Sequence, residues 1–237
     1  MSEELVRINK YIASCGICSR RDADKLIEEG RVFVNGEIAS SGQKVSGHEN
    51  IVVNGKTLAG PDRKAVLAFY KPIGITCSER DAHAEKLIND IVKYPIRLTY
   101  AGRLDRDSEG LLLLTNDGDL IDKMMRGANA HEKEYLVRVH KDISDFAIRK
   151  MREGIYLKEL DVTTRPAKVK KLSDRTFSII ITQGLNRQIR RMCMALSLDV
   201  VSLKRVRVLN ITLDNLKPGE YRELSETEID ELKNIAR

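Results

Sequence analysis

The stretch Gly102-Arg103-Leu104-Asp105-Arg106-Asp107-Ser108-Glu109-Gly110 runs directly into Leu111-Leu112-Leu113-Leu114. A run of leucines behind a glycine turn reads as a buried strand, so the fold must hold a charged loop at the end of an apolar element. A carboxylate flanked by two arginines in such a place is unfavourable for stability and well suited to chemistry. Asp105 is therefore the first candidate for a reacting group. A loop aspartate more commonly caps a turn, and this stretch alone does not separate the two readings.

The 237 residues leave room for one large domain, or for a large domain with a small module, and 42% hydrophobic content is enough for a substantial core. No run of about 18 apolar residues occurs, and the chain begins Met-Ser-Glu-Glu, so neither a membrane span nor export is expected and a cytoplasmic protein is the default. Four cysteines, Cys15, Cys18, Cys77 and Cys193, are too few and too unevenly placed for a disulfide framework. Cys15-Gly16-Ile17-Cys18 has metal spacing but no second Cys/His pair nearby, so no metal site is expected.

Charge is unevenly distributed. Between Arg165 and Arg207 there are eleven Lys/Arg against Asp174 and Asp199, so this segment carries +9 of a net +6 and the remainder is −3. Such asymmetry points to a localised face for a polyanion, the alternative being a solvated basic surface with no partner.

Residues 1–60 read as a compact module. Ser19-Arg20-Arg21-Asp22 is a capping pattern opening a helix with Ala23, Leu26 and Ile27 on one face, and Gly30 stands where it would stop. Val32-Phe33-Val34 then meets Asn35-Gly36, and Ile51-Val52-Val53 meets Asn54-Gly55, two tight-turn signals. Helix, helix, then short strands, with Arg20, Arg21 and Lys25 on the helical part, resembles the S4-type RNA-binding module. The resemblance rests on Arg7 to Ile12, Gly16 to Arg21 and Ile27 to Gly36. Gly47-His48-Glu49 departs from it, standing where that family usually has Gly-Asp.

Ala59 to Lys64 holds both helix breakers and reads as a linker, so a second domain is expected over 65–237. In it Val66 to Tyr70, Leu111 to Thr115, Tyr135 to Val139, Phe177 to Thr182 and Val200 to Val208 read as strands. Helices are expected at Asp119 to Met125, Ser144 to Glu153, Asn186 to Leu196 and Glu226 to Ile235. Strands without regular helical crossovers indicate an α+β fold with a mixed or antiparallel sheet.

If the third of these helices starts at Asn186, a good N-cap, then Ile189, Met192, Cys193 and Leu196 form its buried face, and Arg187, Arg190 and Arg191 cluster opposite. Cations in a first turn oppose the helix dipole, so something anionic, a phosphate or a carboxylate, is expected beside them. Lys133-Glu134-Tyr135-Leu136-Val137 is a strand with a tyrosine near its entry. A lone tyrosine is usually an ordinary strand residue. In a chain with seven tyrosines, four phenylalanines and no tryptophan, few groups can stack on a base, which gives Tyr135 weight.

Lys71-Pro72-Ile73-Gly74-Ile75-Thr76-Cys77-Ser78, Gly102-Arg103-Leu104-Asp105 with Gly110-Leu111, Lys133 to Val137, and Gly184-Leu185-Asn186-Arg187-Gln188-Ile189-Arg190-Arg191-Met192 together resemble, in order and behind an S4-type module, the RsuA-type family of ribosomal RNA pseudouridine synthases. The likeness is greatest to the branch acting on large-subunit (23S) ribosomal RNA. It implies site-specific isomerisation of uridine to its C-glycoside, with no cofactor. By it, Asp105 is the nucleophile or charge stabiliser at the ribose C1′, Arg190 pairs with it, and Tyr135 stacks on the uracil. Ile189 would wall the base opposite, its plain alternative being core, and Arg103 would fill the gap left by the extruded nucleotide. Arg187, Arg191 and Lys133, the other basic residues from Lys168 to Arg207, and Arg20, Arg21 and Lys25 would hold RNA. The expected partner is ribosomal RNA, free or in a pre-ribosomal particle, with no membrane and a monomeric enzyme.

Other readings stay open. The RNA could be small-subunit ribosomal RNA or a tRNA anticodon loop, or the chain could be a non-catalytic ribosome-assembly factor. Glycosidase-like hydrolysis needs a second carboxylate about 5 to 9.5 Å from the first, for which Asp107 or Glu109 has suitable spacing.

Overall fold

A computed structural model describes residues 5–78, 86–126 and 130–236. The chain divides into two compact units: Met1–Ala65 with Tyr94–Thr99 and Asn116–Gly118, and Val66–Lys93, Tyr100–Thr115 and Asp119–Arg237.

In the first unit β1 (Val6–Arg7) leads into α1 (Ile8–Ser14) and α2 (Arg20–Glu28). Ser19 caps α2 as its sequence requires: its Oγ accepts from the Asp22 N–H at 3.1 Å. β2 (Val32–Val34) and β3 (Glu37–Ile38) form one hairpin, and β5 (Ile51–Val53) and β6 (Lys56–Thr57) another, with β4 (Lys44–Val45) pairing back to β1. Both turns place an asparagine at φ 51 ahead of a glycine with positive φ, the conformation that makes Asn-Gly favourable there. Ile8, Ile12, Ala23, Ile27, Val32, Val45, Ile51 and Val53 form the core. At the Gly47-His48-Glu49 departure, the Glu49 carboxylate accepts the Ser46 and Gly47 N–H groups, and these bonds hold its pKa down to about 2. Of the later stretches, the first joins this unit through the Tyr94 hydroxyl, which accepts from Arg63, and the second through Asn116, which accepts from the Ala65 N–H and donates to the Arg63 carbonyl.

The second unit carries β7 (Val66–Lys71), α3 (Ile88–Ile91), β8 (Thr99–Ala101), β9 (Glu109–Thr115), α4 (Gly118–Met125), β10 (Lys133–Val139), α5 (Asp145–Glu153), β11 (Tyr156–Leu157), β12 (Val162–Thr163), β13 (Lys168–Ser173), β14 (Thr176–Ile181), α6 (Gln188–Ala195), β15 (Val200–Val208), β16 (Ile211–Thr212), β17 (Tyr221–Glu223) and α7 (Glu226–Ile235). Its main sheet runs β13-β14-β10-β15-β9-β7-β17, with β16 beside β15 and β8 beside β9. Neighbours along it pair antiparallel except β15 with β9, so the sheet is mixed within an α+β fold. Leu111 to Leu114 are all buried, and Leu111 and Leu113 pack with Val66, Ala68, Leu120, Val208, Leu224 and Leu232. β13 escapes periodicity because five of its six residues are exposed and only Val169 is buried.

At the parallel joint of β9 and β15, Arg205 is in register with Gly110, whose φ is 110, and a Cβ there would lie 2.2 Å from the Arg205 carbonyl oxygen. Only glycine permits that approach, which brings the two strands together directly behind the Asp105 loop.

Candidate active site

The β8–β9 loop, the entry of β10 and the β14–α6 turn converge on a cavity of about 480 Å³. That is within the range of sites for small molecules. Arg103, Asp105, Lys133, Tyr135, Arg187, Ile189 and Arg205 all line it. Arg190 and Arg191 stand outside its lining, and Arg20, Arg21 and Lys25 are exposed on α2 of the other unit.

Asp105 reaches the cavity because its loop is tied down on both sides. Ser108, itself buried, donates its N–H to the Asp105 carbonyl at 3.1 Å, and the Leu104 N–H points at Cys77 Sγ, 3.5 Å away. Lys71 lies wholly buried beside this loop with its ammonium donating to the Pro72 carbonyl at 2.9 Å. Burial lowers its pKa against the pull of Cys77, Asp105 and Asp107. The Asp105 carboxylate is about one-third exposed, open to a ligand in the cavity.

Tyr135 and Ile189 are 8% and 4% exposed, so each presents a buried apolar surface to the cavity. Tyr135 sits on β10 opposite Ile179 of β14 and Arg205 of β15. Lys133 precedes it by one strand repeat, so its side chain leaves the same face. Its ammonium donates to the His131 carbonyl at 3.3 Å, and burial, with the Arg205 charge, brings its pKa down to about 8.

Three expectations change. Helix α6 starts at Gln188, not Asn186, because Arg187 takes a left-handed φ of 51 and becomes the N-cap. Asn186 instead accepts from Arg191 through its backbone carbonyl at 3.0 Å. Secondly, Arg190 does not pair with Asp105. Its Nε lies 3.3 Å from Asp107 Oδ2 and its Nη2 donates to the Asp107 carbonyl at 2.8 Å, while the guanidinium set beside Asp105 is that of Arg187, at 3.9 Å. Thirdly, Arg205 is no surface cation. It is 2% exposed, with Nε donating to the Leu111 carbonyl at 2.6 Å and Nη1 to the Arg103 carbonyl at 3.3 Å. Lys71 and Arg205 are the residues whose place here the sequence did not reveal. Lys71 opens the first of the four motifs, while nothing in a strand that carries Lys204, Arg205 and Arg207 marks Arg205 as the buried one.

The basic segment is also less free than its count. Lys168 pairs with Glu132, Arg175 with Asp142, Arg187 and Arg190 with Asp107, Arg191 with Glu159, and Arg207 with Glu132 and Glu134.

A carboxylate, a tyrosine and several cations around one cavity form a candidate active site for an anionic substrate. Residues 65–195 match the RNA pseudouridylate synthase family and residues 6–51 the S4 domain, so the chain belongs to the RNA pseudouridine synthases. Within them it is of the RsuA type. It is 42% identical to the dual-specificity RNA pseudouridine synthase RluF of Salmonella typhi over 234 residues, covering 98% of this chain and 80% of that protein. It is 39% identical to the ribosomal large subunit pseudouridine synthase B of Bacillus subtilis (strain 168), covering 97% and 96%. A crystal structure of a pseudouridylate synthase, 33% identical, superposes with a TM-score of 0.71 over 96% of this chain and 99% of the other. No helix among the described residues is long and apolar enough to cross a membrane.

Proposed function

We propose that the chain converts a specific uridine of ribosomal RNA, in the large subunit, to pseudouridine in the cytoplasm, with Asp105 acting at the ribose C1′. The observation that carries this reading is that Asp105, Tyr135 and Ile189, drawn from three separate motifs, line one cavity. The names of the Salmonella and Bacillus relatives support the choice of RNA.

The target nucleotide is extruded into the cavity, at a cost of a few kcal/mol that is least in single-stranded or distorted RNA. Asp105 assists breakage of the N1–C1′ bond. The uracil then turns between Tyr135 and Ile189, C5 bonds to C1′, and the C5 proton leaves while N1 gains one. Arg103, exposed at the rim, fills the space the base vacates. Lys133 and Arg187 hold the nucleotide, and Arg20, Arg21 and Lys25 grip phosphates without reading sequence. Glycosidase-like hydrolysis is disfavoured because the Asp107 carboxylate is occupied by two arginines and Glu109 accepts the Tyr70 hydroxyl at 2.7 Å.

The test is tritium release from large-subunit ribosomal RNA labelled at uridine C5, for wild type and Asp105→Asn, with tRNA as a second substrate. Release by wild type alone is expected. Release by both proteins would remove Asp105 from the reaction, and release from tRNA only would move the target.

A further inference from the structure

Asp107 carries more than its place in the loop requires. Its carboxylate receives Arg187 through both oxygens, at 3.2 and 2.8 Å, and Arg190 Nε lies 3.3 Å from the second of them. Arg190 also donates through Nη2 to the Asp107 carbonyl at 2.8 Å and to Ser108 Oγ at 3.3 Å. Burial works to raise the Asp107 pKa, but the Arg187 hydrogen bond and the charges of both arginines outweigh it and leave the carboxyl below its ordinary value.

These arginines sit where a cation is disfavoured, at the N-cap and in the first turn of α6, and they repel each other. Without an anion between them they would separate or turn to solvent. Asp107 supplies that anion from within the chain, and the same contact leaves Arg187 Nη1 3.9 Å from Asp105 Oδ2. One guanidinium thus spans both carboxylates, bonded to one and set beside the other. The fork geometry explains why arginine suits the position: a lysine makes no bidentate contact.

We infer that Asp107 is a positioning residue that pins Arg187 and Arg190 and so sets the cation that faces Asp105 at the mouth of the cavity. This rests on the reading of Asp105 as the reacting carboxylate. Asp107 does not itself touch substrate; it acts through the arginines. Its side chain is 45% exposed, so removing its charge takes one negative group off a face that meets phosphates and does not weaken RNA binding.

The experiment measures single-turnover tritium release at saturating enzyme, together with RNA affinity, for wild type, Asp105→Asn, Asp107→Asn, Asp107→Glu, Arg187→Gln and the Asp107→Asn/Arg187→Gln pair. Asp107→Asn should lower the rate at least tenfold while Kd stays within threefold or tightens. Asp107→Glu, which keeps the charge, should recover at least a third of the rate. The double variant should lose no more than the worse single one, as residues acting in one unit do. A folded Asp107→Asn within twofold of the wild-type rate would overturn the inference, as would fully additive losses. Should Asp107→Asn not fold, a folded Asp107→Glu no faster than Arg187→Gln overturns it equally. If wild type is active and Asp105→Asn is not, these outcomes bear on Asp107 alone. If wild type releases no tritium, the reading of Asp105 fails and this inference with it.

Discussion

Gly110 and Arg205 touch backbone to backbone across the parallel joint of the sheet, leaving no room for a Cβ on Gly110. The Asp105 loop ends at this joint, and the Arg205 side chain reaches back to the Arg103 and Leu111 carbonyls. Placement of the candidate reacting carboxylate therefore depends on how closely two strands approach.

Gly110→Ala should destabilise the fold by about 2–4 kcal/mol, through the backbone clash and the positive φ together. Urea unfolding measures it. A loss under about 1 kcal/mol would mean that β9 and β15 separate easily and that the joint does not define the loop.

Arg205→Met should cost about 2–3 kcal/mol, because two carbonyls lose a charged donor in a buried place. Tritium release should fall with it, while the salt dependence of RNA binding stays unchanged. A slope of log Kd against log salt reduced by about one, with stability intact, would instead identify Arg205 as a phosphate contact.

Lys133 should titrate in the working range. Its pKa in the folded chain is about 8, below the ordinary 10.5, so it is charged below pH 8 and loses its proton as pH rises through that value. Substrate affinity should therefore fall above pH 8 in wild type and show no such step in Lys133→Met. In stability the sign is opposite. The folded state disfavours the charged form, so Lys133 opposes folding fully below about pH 8 and its penalty fades between pH 8 and 10.5. An unchanged pH profile in Lys133→Met would assign the step to another group.

Helix α7 is closed by a reciprocal cap: Ser225 Oγ accepts the Glu228 N–H at 3.2 Å, and Glu228 accepts the Ser225 N–H at 2.8 Å. Ser225→Ala should cost about 1 kcal/mol and leave tritium release unchanged, since Leu232 of this helix belongs to the core and no residue of it lines the cavity. A large drop in activity with normal stability would contradict this.

The amino-acid sequence by itself determined the elements with local causes. Asn35-Gly36 and Asn54-Gly55 turn where their φ preferences predict, Ser19 caps α2, and the leucine run, the Val/Ile runs and α7 form the expected strands and helix. Motif order also brought out Asp105, Tyr135, Ile189 and Arg187 as residues that meet at one cavity. Periodicity and spacing suffice for the local elements because these follow from backbone preference and from which face is buried. β13 was invisible for the converse reason, an edge strand with almost nothing to bury.

What tertiary structure alone decided is which charge meets which. A count of basic residues cannot foresee that Glu132, Asp142 and Glu159 return from elsewhere in the chain to pair with Lys168, Arg175 and Arg191. Nor can it foresee that Arg205 is buried, or that Arg190 takes Asp107 in place of Asp105. Ion pairs are settled by ångström-scale distances between side chains on different strands. For Arg187 and Arg205 the placement comes with the left-handed turn at Arg187 and the close approach at Gly110, whose effects on side chains distant in sequence no local pattern encodes.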